Sequence, residues 1–190
     1  MENRLPAINA KVWEFGPIGV IVVARSVRLI VLAGISQWRW WEEIFLVLGW
    51  MIGWLLTEID DYFYVYVSNP QELTSQRAKQ YLAAKDFKGL WNLLQATRGE
   101  RTSRMPVRNA LTLLVMTFVG IWIVTSNGSP LGSGVVLGLG TRLWSEFFLE
   151  KDKDKWFWIF SRVFSHGEQM WITIGTGLAL IWQILMTVRG

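Results

Sequence analysis

The sequence predicts an all-α protein, a polytopic transmembrane helical bundle with amphipathic helices on its cytoplasmic or interfacial side. Three observations support this prediction. Hydrophobic residues make up 52% of the 190 residues and charged residues only 18%. The chain contains 13 Trp, and Trp and Tyr favour membrane–water interfaces. Apolar segments of the length needed to cross a bilayer recur along the chain, so residues 1–190 are treated as a single integral membrane domain.

Five segments are candidate membrane helices. A hydrocarbon core about 30 Å thick needs roughly 20 residues of helix. The segments that approach this length are 16–36, 44–67, 107–125, 131–149 and 170–188. Five crossings are expected, and four are the alternative if the first segment is re-entrant or interfacial.

Basic residues are concentrated in two of the connections. Segment 68–106 contains seven and segment 150–169 contains four more, whereas 37–43 contains one and 126–130 contains none. Because Lys and Arg stay on the cytoplasmic side, the N-terminus and both long basic loops are expected in the cytoplasm of a plasma or inner membrane protein. The linker 126–130, reading SNGSP, predicts a tight hairpin between the third and fourth helices.

Both basic loops also carry apolar residues at helical spacing. In segment 71–98 these are Phe87, Leu90, Trp91 and Leu94, with Asp86 expected to cap the helix and Gly99 to end it. Segment 154–165 has a similar stripe. Two interpretations are open: interfacial helices whose cations lie near anionic lipid headgroups, or two faces that pack on each other as a small cytoplasmic cap.

Ionisable residues inside three predicted membrane helices are the main candidate functional residues. They are Arg25 and Arg28 in the first helix, Glu58, Asp60 and Asp61 in the second, and Arg142 and Glu146 in the fourth. Such residues usually face protein or water and mark ion paths or pairing sites. From their depth along each helix, we expect them to converge on the inner half of the bundle. The alternative is that the second helix ends near Glu58 and its acids lie in the headgroup region.

The acids of the second helix cannot all share one partner. Asp60 lies about 200° around a helix from Glu58, so either two neighbouring helices bind the acids or one acid faces a water-filled cleft.

Small residues on the second and fourth helices predict a close contact. The spacing Gly49-x-x-x-Gly53 recurs as Gly134-x-x-x-Gly138, and small residues four apart allow membrane helices to approach closely. Both glycine faces lead toward the charged residues. We therefore expect these two helices to pack in parallel, with Arg142 paired to Asp60 or Asp61.

Several classes of chemistry are excluded or have no support. The chain has no Cys and one His, which excludes disulfides, thiolate chemistry and a multi-histidine metal site within one chain. The sequence contains no phosphate-loop, dinucleotide, zinc-protease or serine-hydrolase motif. No catalytic residue, metal or cofactor is therefore predicted. Nucleic acid is not an expected partner, because the membrane orientation already accounts for the basic loops.

Three functions remain as expectations. The first is a channel or transport component, since intramembrane acids near arginines are typical of ion or proton paths. The second is a non-catalytic membrane scaffold or assembly protein in a larger complex, in which charges hold helices together. The third is an intramembrane enzyme that acts on lipid. Expected partners are anionic membrane lipids, through the basic inner loops, and either further copies of the chain or membrane partner subunits.

Overall fold

The computed structural model describes residues 7–33, 40–97, 105–126, 129–150 and 152–189. Every regular element in these ranges is helical, which confirms the prediction of an all-α protein. The α-helices are α1 (Ala7–Ala33), α2 (Trp40–Leu56), α3 (Ile59–Phe63), α4 (Leu73–Ala83), α5 (Phe87–Thr97), α6 (Ala110–Thr125), α7 (Pro130–Leu149) and α8 (His166–Arg189). A π-helical turn, Tyr64–Ser68, follows α3, and a 3₁₀ helix, Lys153–Phe157, follows α7.

Among the described helices, α8 alone is both long enough and apolar enough to cross a membrane by length and composition. The apolar helix α6 is shorter, with 16 residues. Helix composition therefore supports one candidate crossing, fewer than the five predicted.

The predicted second membrane helix, 44–67, is not continuous. Helix α2 ends at Leu56, a turn follows at Thr57 and Glu58, and the chain then continues as the short α3 and the π-helical turn. This agrees with the alternative in which the helix ends near Glu58. The break places the three acids of this segment at a junction between elements.

Helix α7 is the central element. It packs most extensively against α2 and also contacts α6, α8 and α1. Its start is fixed locally, because the Ser129 hydroxyl accepts a hydrogen bond from the Gly132 N–H at 3.1 Å and Pro130 occupies the first turn. More than half of α7 is buried, including Arg142.

Two apolar clusters lie against α7, one toward each end. One contains Ile21, Leu46, Trp50 and Leu137, and the other contains Ala110, Leu113, Leu139, Leu143, Phe147, Trp156 and Phe157. The second cluster joins the end of α7 to the start of α6 and to the 3₁₀ helix.

Helix α8 has its polar side chains inside and its apolar side chains outside. The buried face carries Gln169, Thr173, Thr176, Gln183 and Thr187. Thr173, Thr176 and Thr187 satisfy their hydroxyls within the helix, by donating to carbonyls four residues earlier. The opposite face exposes Trp171, Leu178, Ile181 and Leu185, with Leu178 62% exposed.

The first basic loop folds as a helical hairpin, and the helix expected after Asp86 is its second arm, α5. Helices α4 and α5 pack on each other, and the turn between them places Lys85 at φ 57°. The Asp86 carboxylate accepts a hydrogen bond from the Gly89 N–H at 2.8 Å, as its predicted capping role requires. The predicted end at Gly99 lies outside the described residues.

The amphipathic helix predicted over 154–165 is wrong. Only the 3₁₀ helix forms there, and α8 begins at His166 with a reciprocal cap between Ser165 and Glu168. The apolar stripe becomes an aromatic cluster instead of a helix face. The rings of Phe157 and Phe164 stack at 4.4 Å, and Trp156 lies 5.2 Å from Phe147 of α7.

Candidate functional site

The site begins at the break between α2 and α3. In a regular helix the Trp54 carbonyl would accept from the Glu58 N–H, but that N–H donates to Leu55 at 2.9 Å instead. The Trp54 carbonyl accepts from the Thr57 hydroxyl and from Arg142 Nη1, each at 2.9 Å. The Arg142 side chain of α7 thus donates to a carbonyl of α2 that a backbone N–H would bind in a regular helix.

Arg142 is the central cation of the site and is only 2% exposed at its side chain. Its Nη2 is paired with the Glu58 carboxylate, and its Nε lies 3.1 Å from Glu146 one turn along α7. Its guanidinium also lies over the Trp54 ring, 4.0 Å from the centroid. This arrangement gives a buried guanidinium both charge neutralisation and an aromatic face.

Arg108, just before α6, continues the network. Its Nε lies 2.7 Å from Glu146, and its Nη1 lies 3.5 Å from Asp61. Glu146 therefore bridges two arginines with its two carboxylate oxygens. The result is an alternating series of acids and bases, Glu58, Arg142, Glu146, Arg108 and Asp61, which we call the ion-pair chain.

Asp60 uses backbone donors rather than an arginine side chain. Its two carboxylate oxygens accept from the backbone N–H groups of Val107 and Arg108, both at 2.7 Å. These N–H groups lie immediately before α6, whose first turn is capped by the Asn109 side chain. A carboxylate at this end of a helix also interacts favourably with the helix dipole. Asp60 thus attaches the α2–α3 junction to the start of α6.

The structure does not bring Arg25 and Arg28 to this site. Arg25 pairs with Glu42 at 2.8 Å and with Glu43 at 3.0 Å, at the opposite end of α2. Glu43 and Glu58 are 15 positions apart, roughly 20 Å of helix. Arg28 donates to the carbonyls of Val188 and Arg189 at the end of α8. The expectation that all these charges converge on one half of the bundle is therefore wrong.

The predicted partner of Arg142 is also wrong. Arg142 binds Glu58 and Glu146, whereas Asp61 binds Arg108 and Asp60 binds backbone. The inference that Glu58 and Asp60 need different partners does match the geometry. Their carboxylates meet α7 and the start of α6, respectively.

The four glycines lie where α2 and α7 cross. A Cβ at Gly53 would come within 2.8 Å of the Leu139 nitrogen, and one at Gly138 within 2.9 Å of the Trp50 carbonyl carbon. Gly49 lies against Leu131, and Gly134 lies against Leu46. Later residues of α2 contact later residues of α7, so the two helices run in parallel. This close approach lets Arg142 reach the Trp54 carbonyl.

Sequence reasoning missed Arg108, Glu42 and Glu43 as partners. Arg108 lies at the start of the predicted third helix, 107–125, but it was not among the candidate ionisable residues. Glu42 and Glu43 lie just outside the predicted span 44–67. Each of the three is an ionisable residue at the end of an apolar run, and that position could have marked it as a partner for the charges inside the predicted helices.

Within the part of the chain that the structure describes, no group of His, Cys, Asp and Glu side chains is arranged to hold a metal ion. The acids of the site face guanidinium and backbone N–H groups. Guanidinium and backbone N–H groups bind carboxylates through charge-assisted hydrogen bonds. Comparison with protein-family models, with curated proteins and with solved structures gives no match.

Proposed function

We propose that this chain is a small multi-pass membrane protein. The exposed faces of α1, α2, α6 and α8 are apolar, whereas threonines, glutamines and ion pairs lie inside. On α6, for example, Phe118 and Trp122 are about 70% exposed. A soluble bundle has the opposite arrangement. The inverted polarity matches a lipid environment, in which helices hide their polar groups from the hydrocarbon.

The composition of α7 fits the same proposal. This helix is rich in Gly, Ser and Thr and carries Arg142, so its hydropathy is modest for a membrane helix. Neighbouring helices cover it on several sides. A central helix with protein neighbours does not need an apolar surface, because lipid does not reach it.

We propose five crossings formed by α1, by α2 with α3, and by α6, α7 and α8. The positive-inside rule places the N-terminus and both basic loops in the cytoplasm, in a plasma or inner membrane. The parallel packing of α2 with α7 agrees with this alternation, since both would run from outside to inside.

For its role, we propose a non-catalytic membrane scaffold or assembly protein. The observation that carries this proposal is the ion-pair chain, in which each acid contacts an arginine and three separate parts of the sequence are joined. Breaking a buried pair costs about 3–5 kcal/mol, so such a chain favours one fixed arrangement of helices. A fixed bundle can present its outer surface to membrane partner subunits or to further copies of itself.

Liposome reconstitution tests this role against conduction. We expect ion and proton flux no higher than in empty liposomes, both for the native chain and for Glu58→Gln. We also expect Glu58→Gln to melt at a lower temperature in detergent, and to lose any defined complex that the native chain forms in its membrane. Flux that Glu58→Gln abolishes would contradict the scaffold.

A transport component is the second candidate. The observation in its favour is the broken helix beside buried charges, because discontinuous helices in membrane transporters often bind ions with freed carbonyls. On this alternative, Glu58→Gln and Asp61→Asn should each reduce flux while the protein stays folded and inserted. Ser126→Ala, which changes an exposed position outside the charged site, is the matched control.

A further inference from the structure

The α4–α5 hairpin exposes aromatic side chains beside lysines. Phe87 is 65% exposed and Trp91 is 42% exposed. Lys88 lies between them in sequence, and Lys85 lies in the turn that precedes α5; both are exposed. We call these four residues the hairpin surface. It combines apolar rings with positive charge on one side of a short helix.

Three leucines of α5 hold the hairpin to the rest of the protein. Leu90, Leu93 and Leu94 of α5 pack against Tyr64 and Val65 of the π-helical turn and against α4. Phe87 and Trp91 lie beside these leucines on α5, but both side chains are exposed and are available for an external contact. Asp86, the acid next to the surface, is engaged as the cap of α5.

An exposed apolar surface leads from α2 to the hairpin. It includes Leu55, Ile59, Tyr62, Tyr66 and Val67. The rings of Tyr62 and Tyr66 lie 4.5 Å apart, and Lys79 of α4 lies 5.5 Å from the Tyr66 ring centroid. Tyr and Lys at the end of an apolar surface are typical of a membrane–water interface. The hairpin begins where this aromatic band ends.

We propose that the hairpin lies on the inner membrane surface and binds anionic phospholipid headgroups. Phe87 and Trp91 enter the boundary between headgroups and acyl chains, and Lys85 and Lys88 contact lipid phosphates. An apolar face flanked by lysines is the pattern of helices that lie in this interface. This inference rests on the proposed membrane insertion and adds a specific lipid partner to it.

The absence of cysteine from the sequence allows a direct test with the full chain. A nitroxide on Asn92→Cys, next to Trp91 and one turn from Lys88, reports the depth of the hairpin surface. The protein is reconstituted in vesicles of phosphatidylcholine alone or mixed with phosphatidylglycerol. Collisions with oxygen measure exposure to lipid, and collisions with a water-soluble nickel chelate measure exposure to water.

In vesicles with phosphatidylglycerol we expect the Asn92 nitroxide to gain oxygen access and lose nickel access. Lys85→Gln and Lys88→Gln should each reduce the lipid-bound fraction relative to the free fraction by about fivefold, because each cation near an anionic surface contributes on the order of 1 kcal/mol. A nitroxide on Gln80→Cys, about 200° around α4 from the buried Ala78, should stay accessible to nickel in both lipids.

A nitroxide on Ile181→Cys of α8 separates failure of this inference from failure of membrane insertion. If Ile181 is in lipid and Asn92 stays in water, the hairpin proposal is overturned while insertion stands. Water exposure at Ile181 overturns both. If the Asn92 nitroxide lies at the same depth in vesicles with and without phosphatidylglycerol, the proposed binding of anionic headgroups is overturned. If the Asn92 nitroxide is shielded from both oxygen and the nickel chelate, protein covers the hairpin surface, and the proposal is also overturned.

Discussion

Arg142 donates to three groups, and two of them lie on the other side of the α2–α7 contact. It holds the Glu58 carboxylate and the Trp54 carbonyl, as well as Glu146 on its own helix. Without Arg142, the carboxylates of Glu58 and Glu146 would lose a positive charge that neutralises them. Water cannot fully replace the arginine at this buried position.

We therefore expect Arg142→Gln to destabilise the folded protein by about 3–5 kcal/mol. Thermal unfolding in detergent measures the change. The double variant Glu58→Gln with Arg142→Gln should recover part of the loss, because it removes both members of one pair. Arg162→Gln is the control, since the ion pair of Arg162 with Glu168 is largely exposed and should have little effect.

Asp60 supplies a second prediction. Asp60→Asn keeps the side-chain shape but replaces one acceptor oxygen with an N–H donor, so one of the two backbone N–H groups at Val107 and Arg108 loses its acceptor. We expect a loss of about 1–3 kcal/mol and faster amide hydrogen exchange at these two residues. Asp152→Asn, at a largely exposed carboxylate, should change neither. Unchanged exchange at Val107 and Arg108 in Asp60→Asn would show that this attachment is unimportant.

The contact between α2 and α7 depends on helices whose backbones nearly touch. At Gly53 and Gly138, an added Cβ would lie closer to the backbone of the opposite helix than side-chain carbons are found to lie. The ion-pair chain depends on this contact, because a wider spacing would move Arg142 away from the α2 carbonyl.

Gly138→Ala should accordingly lower the thermal stability in detergent by about 1–3 kcal/mol, the usual range for overpacking. Gly138→Ile should weaken assembly of the bundle further. Gly175→Ala on α8 is the matched control, because a Cβ there meets nothing within 4 Å. Equal melting temperatures for Gly138→Ala and Gly175→Ala would mean that α2 and α7 do not pack through these glycines.

The whole bundle places its polar groups inside, and this arrangement leads to a prediction about topology. If α7 crosses the membrane, the segment before it and the segment after it lie on opposite sides. Single cysteines at Ser126, Lys85 and Asp152 can be labelled individually, since the native chain has none.

A membrane-impermeant maleimide added to intact cells should label Ser126→Cys alone. Lys85→Cys and Asp152→Cys should react only after the membrane is opened, because positive-inside orientation puts their loops in the cytoplasm. Reaction of all three positions in opened cells is the control for accessibility. Labelling of Ser126→Cys and Asp152→Cys from the same side would show that α7 does not cross.

Local signals predicted several elements well. Helix α7 was predicted as 131–149 and begins at Pro130, because a capping serine and a proline define its start within a few residues. The end of α6 at Thr125 matches the predicted segment 107–125, but its start is at Ala110. Two contacts account for that difference: Asn109 caps the first turn of α6, and Asp60 binds the backbone N–H groups of Val107 and Arg108 just before it. The aromatic stripe at 154–165 misled the prediction, because Phe147 and neighbouring rings hold it in a cluster rather than a helix.

The sequence by itself determined the helical class, most of the helix positions and the glycine faces on α2 and α7, since all of these follow from spacing along a single segment. Only the tertiary structure decided which charges meet. Glu58 and Arg142 are 84 residues apart, and Asp60 and Val107 are 47 apart. Pairing at such separations depends on the axial offset and rotation of one helix against another, and a shift of one turn changes every partner. For the same reason the sequence left open whether the second helix is continuous or ends near Glu58, because the arginine beside the break comes from α7.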